Sequence, residues 1–161
     1  MTDAPLVTQQ NLPPVPPKIR ERIIRGEYID FVTLLPKTMF SGSTEPDSST
    51  FFTVQLAPNS GDASIRPAAK PRKIASFANW MEAWNIYLAV CIDHMPSCAP
   101  SLIAYQCIIT SASTQYPLES WLNYDVQFRT LAASHASIRW DIHHTDLWFH
   151  CVMPPGTQQA R

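Results

Sequence analysis

The amino-acid sequence predicts an all-α protein: a compact, orthogonal or bundle-like domain of about six helices with a long flexible N-terminal linker. Three observations predict it. From Ile74 onward, large apolar residues recur at every third or fourth position, the period of a helix buried along one face. Prolines fall between those periodic stretches and not inside them, so punctuation and pattern agree. The composition also changes sharply: ten of the 15 prolines precede residue 73, and all five tryptophans and all four cysteines follow it.

The boundaries follow from that change. Residues 1–16 read as a disordered proline-rich lead, 17–36 as a short helical hairpin and 37–73 as a flexible linker with a basic end. Residues 74–153 form an aromatic-rich helical domain, and 154–161 a tail. In the hairpin, Ile19, Ile23 and Ile24 lie on one stripe of a helix from Lys18 to Arg25, with Pro17 suited to its first turn and Gly26 to its stop. Tyr28, Phe31, Val32 and Leu35 form a second short amphipathic turn ended by Pro36. A hairpin this small must pack against something larger. Within the linker, a 37–73 stretch rich in Ser, Thr, Pro, Asp and Asn, only the Phe51-Phe52-Thr53-Val54 patch could make an edge strand.

In the helical domain Ser76 caps a helix to about His94 that carries Phe77, Trp80, Met81, Trp84, Leu88 and Cys91 on its apolar face. After Pro96 and Pro100, a further helix carries Leu102, Ile103, Gln106 and Ile109 and ends near Pro117. The next, from Leu118 to about Ser134, aligns Trp121, Leu122, Asp125, Phe128 and Leu131. The last runs from Thr145 to Val152 with Leu147, Trp148 and Cys151.

Twelve basic against thirteen acidic residues give a net charge of −1, so no whole-chain field favours nucleic acid or an anionic membrane. No apolar run approaches the ~18–20 residues of a membrane span, and no signal peptide is legible. Four cysteines without framework spacing suit a reducing, intracellular compartment, cytoplasmic or nuclear.

Candidate chemistry is sparse. Cys91, His94 and Cys98 form C-x2-H-x3-C with Cys107 nine residues on, but Cys91 and Cys107 fall within apolar helices, where thiols pack as small hydrophobes. His143, His144, His150 and Cys151 cluster in sequence. Adjacent histidines on a helix point about 100° apart, so surface or capping roles fit them better than one metal. Zinc or thiol catalysis at Cys91 and His94 is the least supported alternative. No glycine lies between Gly61 and Gly156, which excludes phosphate-cradling loops there, and no carboxylates are paired. No catalytic, cofactor or metal residue emerges, and the expectation is a protein that is not an enzyme and carries no cofactor.

Two constellations suit binding. Trp121, Tyr124, Phe128 and Arg129, with Trp148, make either a seam between helices or a face for a protein partner. Arg66, Lys70, Arg72 and Lys73 form a basic run without an acid, suited to weak, salt-sensitive contact with RNA or DNA.

The run W-x2-Y-D-x2-F-R at 121–129, preceded by Trp80, Trp84 and Ala104-Tyr105-Gln106, resembles the Gag-like first reading frame of tyrosine-recombinase retrotransposons of the DIRS and Ngaro type. So does V-P-P-K-I-R-E-R-I-I-R-G-E-Y-I-D-F, Val15 to Phe31, followed by Leu34-Leu35-Pro36. The resemblance covers residues 12–36 and 74–153. It implies a helical, capsid-like structural protein that self-associates through helix faces, with itself or another protein as partner. The zinc knuckle common in Gag-type proteins is absent from this sequence, and the resemblance carries no active-site residues.

Overall fold

The computed structural model describes residues 14–37, 52–54, 65–67 and 72–152. Among them are five α-helices, two 3-10 turns and one pair of short strands. Residues up to Leu35 and from Ile74 onward make one compact unit; residues 36–73 make a second.

In the first unit, α1 spans Pro17–Ile24, with Pro17 at the position where a missing N–H costs nothing. It stops at Gly26, whose φ of +73° only glycine adopts freely. The Gly26 N–H donates to the Ile23 carbonyl and the Glu27 N–H to the Arg22 carbonyl, a Schellman closure. The expected second short turn is a single 3-10 turn, Phe31–Leu34. Asp30 opens it by accepting from the Val32 N–H, and Pro36 leaves no room for another turn.

The long helices follow the periodicity. Helix α2 spans Phe77–His94, and the Ser76 hydroxyl caps it by accepting from the Asn79 N–H at 3.1 Å. Met95 turns extended ahead of Pro96, which ends the helix and starts a 3-10 turn, Pro96–Cys98. Helix α3 spans Ala99–Gln115, so Pro100 sits in its first turn and not before it. Helix α4 spans Leu118–Ser134, and α5 spans Thr145–Cys151, capped by the His144 ring accepting from Leu147. In the second unit, β1 (Phe52–Val54) pairs antiparallel with β2 (Ile65–Pro67), Thr53 opposite Arg66. Strand β1 falls within the Phe51–Val54 patch, and its pairing with β2 had no sequence signal.

Aromatic side chains fill the core. Trp80 stacks on Trp84 with centroids 5.3 Å apart and planes 8° from parallel, and meets Trp121 edge-on at 89°. Tyr105 stacks on Phe128 at 4.7 Å, and Trp140, from the α4–α5 connection, sets its edge against both. The N-terminal arm, residues 17–35, completes this core and is no separate appendage. Ile23, Ile29, Phe31, Val32, Leu34 and Leu35 are all buried, and Phe31 lies 5.6–6.2 Å from Trp80, Trp84 and Tyr87.

The two stacked indoles differ in their polar ends. Trp84 donates from Nε1 to Gln106 at 2.9 Å, whereas buried Trp80 Nε1 has no acceptor among the described residues. Phenylalanine at either position removes similar volume, but only Trp84→Phe also breaks a hydrogen bond. Urea unfolding should therefore show Trp84→Phe less stable than Trp80→Phe by about 1 kcal/mol.

Candidate functional site

The polar centre of the helical unit is built on one face of α4. Asp125 and Arg129, one turn apart, are 0% and 5% exposed. Asp125 takes two hydrogen bonds from Arg129 through Oδ2, at 3.0 Å from Nε and 2.8 Å from Nη2. Its Oδ1 accepts from the Tyr105 hydroxyl at 2.9 Å. The remaining arm of the guanidinium, Nη1, donates to the Ile29 carbonyl at 2.6 Å. The guanidinium also lies 3.6 Å from the Phe31 ring centroid and 5.2 Å from that of Tyr28. Every group in the cluster has its partner. Such a carboxylate serves structure, since accepting a substrate proton requires a free, reachable oxygen.

Beside this centre an open cleft of about 480 Å³ separates part of the arm from α2, α3 and the end of α4. Ile23, Tyr28, Tyr87, Cys91, Leu102 and Trp140 are among its walls. At its rim, Ile24 is 38% and Met95 53% exposed.

Two thiols, Cys91 and Cys98, also line this cleft. Burial pushes the Cys91 thiol up to about 12, against a weaker opposing hydrogen bond with Tyr87, and burial raises Cys98 as well. Near neutrality both are thiols, and a thiol without its charge is a poor nucleophile. His94 is exposed, Cys107 lies on the outer face of α3, and among the described residues no three His, Cys, Asp or Glu side chains converge on a metal position. All four cysteines are free. His143 stacks on Tyr124 and packs edge-on against Trp148 at 4.3 Å; burial, then its neighbour His144, lowers its pKa.

The sequence-derived binding sets are redistributed. Trp121, Tyr124, Phe128 and Arg129 do not face outward: they are buried as the seam between helices, because α4 turns its aromatic face onto α2 and α3. Of that group only Trp148 reaches the surface, half-buried against Tyr116 and Tyr124. In the basic run, Arg66 stands in β2, Arg72 and Lys73 are exposed, and Lys70 falls outside the described residues. The cleft itself was missed in sequence because it lies between segments distant along the chain. Asp125 and Arg129 within an apolar stripe were the one legible signal of the buried centre.

No family model, curated protein or solved structure matches the chain. No helix among the described residues is long and apolar enough to cross a membrane.

The buried acids set an alkaline limit. Tyr105 and Tyr87 are raised above the ordinary phenol value of 10.0 chiefly by burial, and Cys91 above the ordinary thiol value of 9.0. A raised folded-state pKa means the native state holds its proton longer than the unfolded chain. The associated stability is complete below pH 9 and declines as pH rises toward 12. Thermal melts should show a midpoint that falls steadily above pH 9. Alkylation at pH 8 should modify exposed Cys107 first and Cys91, half-buried with a raised thiol, far more slowly.

Proposed function

We propose that the chain is a non-enzymatic, Gag-like interaction module that associates with copies of itself through helix faces. One observation carries this reading: the cleft beside the arm is open, and the apolar side chains of Ile24 and Met95 stand exposed on its rim. Exposed apolar side chains around an open cleft are better covered by a protein surface than left against water. A second copy is the occupant we assign, because the sequence resembles proteins that assemble from identical chains. The chemistry nearby supports association over catalysis. The buried carboxylate is fully engaged by Arg129 and Tyr105, and the cleft thiols stay protonated. Four free cysteines fit a reducing, intracellular setting.

Sedimentation equilibrium tests the proposal. The protein should show concentration-dependent oligomers. Met95→Glu and Ile24→Glu, each placing a charge at the rim, should weaken association by about tenfold, as loss of a central apolar contact does. Circular dichroism should remain unchanged, since both side chains are substantially exposed. A strictly monomeric protein at high concentration, or association indifferent to both substitutions, removes the reading.

A further inference from the structure

The arm and the helices that receive it are joined only through residues 36–73. Even with β1 and β2 paired, the stretches 36–51 and 68–73 together extend to about 70 Å. A domain of ~110 residues has a radius of gyration of only ~13 Å. The covalent chain therefore does not dictate which copy's arm fills a given receiver. Noncovalent contacts specify the seat: the Ile29 carbonyl on Arg129, Phe31 between Arg129 and the indoles, and Arg20 paired with Asp93. The same contacts form equally well within a chain or between two. The seam is also incompletely closed, since the cleft of about 480 Å³ has Ile23 and Tyr28 of the arm as one wall.

We propose that the arm is an exchangeable docking element: residues 17–35 of one copy seat on α2 and α4 of another, and this exchange joins copies in the assembled form. The inference rests on the self-association reading and supplies its mechanism. Within one chain, covalent linkage holds the arm at an effective concentration on the order of millimolar. Exchange therefore becomes favourable where local protein concentration approaches that level. Reciprocal exchange closes a dimer; head-to-tail exchange leaves a free arm and a free seat and continues as an open chain.

The Arg20–Asp93 ion pair offers a direct test, because it links arm to receiver and both side chains are accessible, 42% and 61% exposed. In full-length Arg20→Lys protein, a zero-length carbodiimide can couple the introduced amine to the Asp93 carboxylate. Equal amounts of unlabelled and 15N-labelled chains are unfolded together, refolded at high concentration, cross-linked and separated by size. In the monomer fraction the 20–93 peptide pair should be uniformly light or uniformly heavy. In the oligomer fraction mixed light–heavy pairs should approach half. Oligomers holding only uniformly labelled pairs overturn arm exchange and leave self-association standing. A protein that stays monomeric throughout overturns both, and no 20–93 pair in the monomer overturns the docked arm itself.

Discussion

The fold depends on the Arg129 guanidinium. Its three donor groups are divided between two parts of the chain: Nε and Nη2 hold Asp125 one turn away on α4, and Nη1 holds the Ile29 carbonyl of the arm. Burying a charge is expensive, and an ion pair in a low-dielectric core recovers that cost only when its geometry is good and its remaining groups are bonded. Here both conditions are met, with Tyr105 satisfying the second carboxylate oxygen and Phe31 covering the cation. Removing the arm would leave a buried donor unpaired and expose the apolar residues around it. The arm is thereby tied to the helical core by the requirement that every buried polar group find a partner.

That requirement also explains how the aromatic surplus is used. Fourteen aromatic residues in such a small unit could have made a sticky surface, but the stacked and edge-on contacts among Trp80, Trp84, Tyr105, Trp121 and Phe128 turn most of them inward. What remains outside is mostly non-aromatic: Ile24 and Met95 beside the cleft, with Ile103, Val126 and Ile142 elsewhere, and Phe149 the one exposed Phe, Tyr or Trp ring among the described residues. The proposed association surface lies where the arm leaves the helices uncovered, and the buried polar groups hold the arm down.

Most of the helical architecture was legible because it is local. The Ser76 cap, the stop at Gly26, the α4 boundaries and the apolar period of α2 are each fixed by residues within a few positions of one another. Even the buried polar centre left a trace, since Asp125 and Arg129 interrupt an apolar stripe at helical spacing. The rest was hidden for a physical reason. The Arg129–Ile29 bond joins residues one hundred positions apart through a backbone carbonyl, which has no residue-type signature. The same side chains of α4 suit a seam or a surface equally well, and only the packing of α2 and α3 against them decides. The short turn of the arm was legible for the same local reason as the long helices, since Asp30 and Pro36 leave room for one turn between them.

The central claim, that Arg129 bridges the arm to the helical core, is tested most directly by a double-mutant cycle in urea between Arg129→Met and Phe31→Leu. The account predicts that the two substitutions couple by about 1–2 kcal/mol, because the desolvated cation and the ring it covers are lost together. Strictly additive effects would contradict it, for they would mean that the guanidinium and the arm contribute to stability independently.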